Sequence, residues 1–341
     1  MNRAFIADPE LANKAREGRL DEIRNCAGDC QGCLGAARGT PMGCVTNPAV
    51  GREQEWGIGS LRPAPVRKKV MVVGGGPGGM EAAWVAASRG HDVTLFEKSS
   101  ELGGQNNLAY RLPGRGEMES FTRWRRTMIE KHGVRVKTNT PVDVAAVEAE
   151  RPDVVVIATG STPRRDAMNG YTLQPLQGWE QPNVVAGDDV VSGTAKVGES
   201  VVVYDVDAFI RAPAIAEILA DQGKRVRLVT PGMMVGARLE WTNVETILRR
   251  LAQREVIEII AHTLALGFDG RILHAIDVLR GTAVVFEDVD SLVVCGFARA
   301  NDGLYHELKG KVPELHLIGD AMAPRTIDRA LFDGHRVGRT I

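Results

Sequence analysis

The order of apolar and polar positions divides the chain into three textures. Over residues 1 to 25 apolar residues are sparse; Leu11, Ala15, Leu20 and Ile23 form a thin face that predicts a helix over Pro9 to Arg24. Residues 26 to 64 show little periodicity and are rich in Cys, Gly, Pro and polar residues, so this segment is expected to need a staple to be ordered. From Val70 onward short apolar runs alternate with helical stretches. Val70 to Val73 reads as a strand, a glycine cluster follows, Met80 to Arg89 reads as a helix and Val93 to Glu97 as a second strand, which together predict a βαβ unit. A helix over Met118 to Lys131 and a buried strand at Val154 to Ala158 continue the alternation. A second series starts at Ser200, with strand Val201 to Tyr204, helix Ala212 to Gln222 and strand Val226 to Thr230. The stretch Val235 to Val285 is mixed, and Ser291 to Cys295 and Leu315 to Ile318 add short strands.

This alternation predicts an α/β fold with two Rossmann-like domains, the second inserted in the first: residues 65–195 and 288–341 form one, and residues 196–287 the other. A length of 341 residues suits two such domains with residues 1–64 as an appendage. Lys and Arg number 42 against 43 Asp and Glu, so no basic field is available to hold nucleic acid. Apolar stretches such as Val154 to Ala158 fall far short of the ~20 residues that cross a bilayer, and Arg3, Asp8 and Glu10 argue against an export signal. Four of the five cysteines crowd between Cys26 and Cys44 instead of spreading as a disulfide framework, which points to a reducing, cytoplasmic setting.

Gly74-Gly75-Gly76-Pro77-Gly78-Gly79 satisfies G-x-G-x-x-G between a predicted strand and a predicted helix. Gly74, Gly76 and Gly79 would permit the tight turn, close approach to a pyrophosphate and close helix packing, and Pro77 opens the helix whose N-terminus favours phosphate charge. Glu97 lies eighteen residues after Gly79 at the end of the second strand, where a carboxylate can accept bonds from an adenosine ribose. The alternative is a glycine-rich turn without a ligand. Thr159 and Gly160 follow the buried strand, and Gly319 and Asp320 follow Leu315 to Ile318; in that order they point to a flavin-type nucleotide fold, with Asp320 near a diphosphate or ribitol.

Cys26, Cys30, Cys33 and Cys44 read C-x3-C-x2-C-x10-C, three thiols in one loop and a fourth downstream. Such spacing suits a 4Fe-4S cluster; structural zinc, which more often takes two separated C-x2-C pairs, and free thiols are the alternatives. Cys295 sits inside a predicted strand and reads as core. His91, His132, His262 and His316 are isolated and suit solvated or core roles, and no catalytic residue is assigned.

Taken together these pieces resemble the C-terminal half of the trimethylamine dehydrogenase, histamine dehydrogenase and 2,4-dienoyl-CoA reductase family, including N-methylproline demethylases. The resemblance runs through Arg3-Ala4-Phe5-Ile6-Ala7-Asp8-Pro9, Cys44-Val45-Thr46-Asn47-Pro48, Gly103-Gly104-Gln105, Ile318-Gly319-Asp320-Ala321-Met322-Ala323-Pro324-Arg325 and Asp333-Gly334-His335-Arg336. It implies a 4Fe-4S cluster on the four cysteines, and FAD or ADP in the first Rossmann domain with Gly104 and Gln105 beside it. It also implies FMN and the substrate on a TIM barrel for which this chain has no room, so that the barrel is a separate polypeptide or this is a fragment. The first residues resemble the end of the barrel's last strand, with Arg3 matching an arginine on the FMN phosphate. Partners implied are that barrel and an electron acceptor such as an electron-transfer flavoprotein, with homo-oligomer formation left open.

Two departures stand out. Asp29 lengthens the first cysteine spacing to Cys26-x3-Cys30, and Asp205-Val206-Asp207-Ala208-Phe209-Ile210-Arg211 carries side chains where NADPH-using members carry glycines. The function expected is electron transfer within an amine dehydrogenase or demethylase. An FAD-dependent NAD(P)H reductase and an inert nucleotide-binding module are the alternatives. His335 and Arg336 are read as capping or packing beside the nucleotide.

Overall fold

The computed structural model describes residues 2–35, 39, 41–168, 170 and 173–341. Residues 36–38 and 40 of the cysteine segment therefore lie outside the described residues. The chain divides into two compact units: Met1–Tyr110, Glu117–Thr162 and Ala300–Ile341 form the first, and Arg111–Gly116 with Pro163–Arg299 the second. The second unit thus takes in residues 163–195 and 288–299 as well as 196–287.

In the first unit five parallel strands lie in the order Glu314–Leu317, Val154–Ile157, Lys69–Val73, Asp92–Phe96, Arg135–Lys137. Lys69–Val73 is apolar on both faces because both are covered: Val70 and Val72 join one core with Met80, Ala83 and Val156, while Met71 and Val73 join another with Val155, Ile157 and Leu308. Strand order reverses between Lys69–Val73 and Val154–Ile157, and at such a switch point the loops leaving the strand ends open a crevice. Helix Pro77–Ser88 packs on the C-terminal helix Ile327–Thr340 through glycines. A Cβ on Gly334 would lie 2.2 Å from the Gly78 carbonyl oxygen, and one on Gly338 2.7 Å from Val85 Cβ, so the four-residue spacing is a contact stripe.

The lead-in differs from expectation. Asn2–Ala7 is a short helix and not a strand end, and the helix expected over Pro9 to Arg24 is confined to Leu11–Arg16. Gly18, at φ 73°, ends it, and a turn of 3₁₀ helix follows at Leu20–Glu22. Buried Asp8 closes the segment on itself, accepting from Lys14 Nζ (2.7 Å), Arg24 N (2.8 Å) and Glu10 N (3.1 Å).

The second unit repeats the parallel arrangement, in the order Val184–Ala186, Ser291–Cys295, Ser200–Asp205, Arg225–Val229, Ile257–Ile260. An antiparallel sheet of Thr263–Phe268, Leu273–Asp277 and Ala283–Phe286 follows. The mixed stretch Val235 to Val285 therefore holds helix Trp241–Ala252 and four strands. A register shift between Ala265 and Gly267 breaks the alternation that would have revealed one of them.

Candidate functional site

The glycine loop sits at the first unit's switch point. Gly74, at φ 109°, has room for no side chain, since a Cβ would lie 2.3 Å from Ala158 O on the neighbouring strand end; a Cβ on Gly79 would lie 1.9 Å from Gly74 O. Gly76 differs in kind. It precedes helix Pro77–Ser88 with an ordinary φ of −74°, and a Cβ there would meet nothing within 4 Å. Its hydrogen therefore faces open space at a helix N-terminus, whose first N–H groups have no partner within the helix. This is a cradle that a branched side chain would fill.

Buried Glu97 ties the loop down by accepting from Gly75 N (2.7 Å) and Ser99 N (2.8 Å). Gly103 N donates to Gly75 O (2.8 Å), and Gly104, at φ 54°, brings its backbone so near Gly76 that a Cβ would lie 3.0 Å from Gly76 Cα. Gly74, Gly76, Pro77, Gly79, Glu97 and Gly104 thus converge. Gln105 joins a second group, donating to Ser161 O (3.0 Å) and Oγ (2.9 Å), while Ser161 Oγ donates to Asp320 Oδ2 (3.1 Å). Thr159 and Gly160 are held by Asn301, whose Nδ2 donates to Thr159 O (3.2 Å) and whose backbone N donates to Gly160 O (3.0 Å). Gly319, at φ 62°, donates its N–H to Asp333 Oδ2 (3.1 Å), and its Cβ position meets Ala330, the residue that also faces Gly78. Sequence reasoning missed Ser161 and Asn301, single polar residues with no motif around them, and took in Asp333 only as part of Asp333-Gly334-His335-Arg336, with no role of its own.

Cys26, Cys30, Cys33 and Cys44 line one small cavity in the first unit, together with Arg3. Gly32 allows this, for its Cβ position lies 2.5 Å from Gly43 C and 2.9 Å from Cys44 N, so the two cysteine-bearing stretches touch backbone to backbone. Arg3 Nη1 donates to Cys30 Sγ (2.6 Å), Cys30 Sγ to Gly28 O (3.3 Å), and Cys44 Sγ meets Thr46 Oγ1 (3.3 Å). Burial, then the neighbouring Cys30 and Cys44, push the Cys33 thiol up. Among the described residues no three Cys, His, Asp or Glu converge as ligands of a single metal ion. Four soft donors around one cavity suit a multi-iron cluster better than one small ion, since a cluster spreads its thiolates apart.

A buried ion network braces this region. Glu81, on the glycine-loop helix, pairs with Arg125 Nε (2.9 Å) and His335 Nδ1 (2.9 Å), and Arg125 Nη2 donates to Thr46 O (3.1 Å), two residues beyond Cys44. Burial alone would raise the Glu81 carboxyl, but the charge of Arg125 and the bond to His335 bring it down to about 2. Burial pushes Arg125 down to about 10. His335 therefore packs at the back of the glycine-loop helix, between Trp56 and Trp84. The one signal for this network is a lone Glu inside an otherwise apolar helix.

The second unit's switch point is built from side chains. Asp205 ends its strand fully buried, with Oδ1 accepting from Ala208 N (3.0 Å) and Oδ2 from Gly236 N (3.3 Å). Asp207 Oδ1 accepts from Phe209 N (3.0 Å), and Arg211, opening helix Arg211–Asp221, pairs with Asp188 (3.0 Å) and Asp207 (4.0 Å). Val206 N and Asp207 N both donate to Cys295 O (2.9 and 3.1 Å), so these loop donors are already taken. Burial, then the charge of Asp207, push Asp205 up to about 8, and burial also raises Asp207 and Asp188. Cys295 is wholly buried in this core.

A parallel sheet whose switch point carries a glycine turn, an anchored acid and an open helix N-terminus defines a Rossmann-type nucleotide-binding protein. The chain belongs to the pyridine nucleotide-disulphide oxidoreductase family, whose model matches residues 68–318. It is similar to N,N-dimethylglycine/sarcosine dehydrogenase of Chromohalobacter salexigens, 34% identical over 99% of this chain and 53% of the relative. A probable N-methylproline demethylase of Rhizobium meliloti is 33% identical over 100% of this chain and 53% of its own length. The solved histamine dehydrogenase of Rhizobium sp. 4-9 superposes with a TM-score of 0.92 at 28% identity, over 99% of this chain and 54% of that one. The chain spans about half the length of these relatives and corresponds to their C-terminal half. No helix among the described residues is long and apolar enough to cross a membrane.

Proposed function

We propose that this chain is the electron-relay half of an amine dehydrogenase or demethylase-type flavin oxidoreductase. The observation that carries this reading is the gathering of four thiols around one cavity in the same unit as an open glycine cradle. Gly74, Gly76 and Gly79 would hold the diphosphate of FAD or ADP against the helix N-terminus, with Pro77 setting the helix start and Gly104 closing the loop. Glu97 has lone pairs left for ribose hydroxyls after serving Gly75 and Ser99. Gln105, Thr159, Gly160, Gly319 and Asp320 would flank the rest of the cofactor.

Cys26, Cys30, Cys33 and Cys44 would ligate a 4Fe-4S cluster, which supplies one-electron transfer when bound. Arg125 and Arg24 hold the backbone that carries Cys44, since both donate to Thr46 O. The electrons would come from an FMN-bearing barrel and leave to an external acceptor such as an electron-transfer flavoprotein; the relatives' names support the amine-oxidising class alone. A nicotinamide dinucleotide fits poorly at Asp205 to Arg211, where carboxylates and an arginine fill the loop. The test is an anaerobic titration of the iron-quantified protein with NADH, NADPH and then dithionite. Bleaching by dithionite alone is the expected result; rapid stoichiometric bleaching by either nicotinamide would favour a reductase, and zinc in place of iron and sulfide would sink the relay.

A further inference from the structure

We propose that Arg3 sets the reduction potential of the cluster at the four cysteines, by donating an N–H···S bond to Cys30 and lending it a fixed positive charge. This rests on the cluster reading above and gives Arg3, which the family resemblance matches to an arginine on the FMN phosphate, a role toward the cluster as well, although it is not a cluster ligand. Arg3 Nη1 stands 2.6 Å from Cys30 Sγ, and Arg3 lines the same cavity as all four cysteines.

The chemistry of Cys30 says which partner matters. As a thiol, Cys30 can donate to the Gly28 carbonyl, 3.3 Å away. As a thiolate ligand it has no proton to give, that carbonyl becomes a poor neighbour, and the guanidinium is the group that serves it. Cys30 is buried and its backbone sits in the left-handed region at φ 63°, which sets the direction of its Cα–Cβ bond toward the cavity that Arg3 also lines. Reduction adds one electron and one negative charge to the cluster and its thiolates, with no bond made or broken at Arg3. A donor and a cation beside the sulfur stabilise the more negative state, which raises the potential. Arginine keeps its proton throughout the accessible range, so the contribution does not vary with pH.

Arg3 lies on the short exposed helix Asn2–Ala7, and its side chain is exposed. Two consequences follow. Its removal leaves the core intact, and its effect is partly screened by solvent and falls with added salt. The expected size is a reduction equilibrium about threefold to tenfold less favourable in Arg3→Gln; tenfold corresponds to about 59 mV for one electron. Arg3→Lys keeps the charge without the fork and should fall between the two.

The experiment is a mediated dithionite titration of the full chain and both variants, anaerobically, at low and high salt, after iron and acid-labile sulfide are quantified in each. Full iron in all three, a lower potential in Arg3→Gln, a smaller drop in Arg3→Lys and a narrower spread at high salt support the inference. Full iron with an unchanged or raised potential in Arg3→Gln overturns it and leaves the cluster standing. Loss of iron in Arg3→Gln also overturns it, because Arg3 would then hold the cluster in place and not tune it. Absence of iron from the unmodified chain overturns both the cluster and the inference.

Discussion

The two units carry the same element order at the same point of a parallel sheet, yet their strand-to-helix loops are built in opposite ways. In the first, glycines let backbone touch backbone, and the carboxylate of Glu97 anchors the loop from the next strand, leaving Gly76 facing open space. In the second, Asp205 caps the loop from within, Asp207 and Arg211 fill the helix entrance, and the donors of Val206 and Asp207 are taken by Cys295 O. Ala208 keeps a left-handed φ of 53° where a glycine would be easier, so the turn survives although the space does not. A Rossmann turn can therefore persist as a fold element while side chains occupy its donors and its helix entrance.

The helices behind the loops sharpen the contrast. Glu81 and Arg125 are both wholly buried, whereas Glu217 pairs with Arg250 and Arg254, whose side chains stay 31% and 24% exposed. Arg125→Met should cost about 3–5 kcal/mol because it strands a buried carboxylate, while Arg250→Met should cost about 1 kcal/mol or less. Chemical denaturation of both variants checks this; equal costs would mean that the first helix is no more dependent on its brace than the second.

Within the first loop the glycines should differ among themselves. Gly79→Ala sets a methyl against the Gly74 carbonyl and should destabilise by about 2–3 kcal/mol. Thermal melts that left Gly79→Ala unchanged would remove the steric distinction between Gly79 and the open Gly76.

The smallest effect concerns acid placement in the second loop. With its carboxyl raised to about 8, Asp205 binds its proton more tightly in the folded chain than in the unfolded one, so its contribution to stability is full below pH ~4 and is lost as pH rises toward 8. Asp205→Asn gives up one backbone acceptor at every pH but should flatten that fall. Denaturation midpoints at pH 5 and pH 8 measure it, and an unaltered slope would show that Asp205 is not the group responsible.

Much of this was legible in the residues. Met118–Lys131 and Ser291–Cys295 have the bounds that periodicity and β-branched runs predict, because each is long or apolar enough to stand alone as a signal. The glycine loop and Glu97 were readable because close backbone contact can be met by one residue type only. What escaped depends on contacts distant in sequence. Gly18 cut the lead-in helix, Gly334 and Gly338 gained meaning only beside Gly78 and Val85, and Arg125 reads as an ordinary surface charge until Glu81 is opposite it. Ser161 and Asn301 likewise acquire roles only where loops from separate strands meet.

The central claim is that the first loop holds a nucleotide and the second does not. Mass spectrometry and quantification of the nucleotide released on denaturing the purified chain, with and without Gly76→Val, test it most directly. One equivalent of FAD or ADP per chain is predicted for the unaltered protein and its near-complete loss in the variant, with stability changed by no more than about 1 kcal/mol, since Gly76 has an ordinary φ and free space around it. Undiminished nucleotide in a folded Gly76→Val protein would contradict the account.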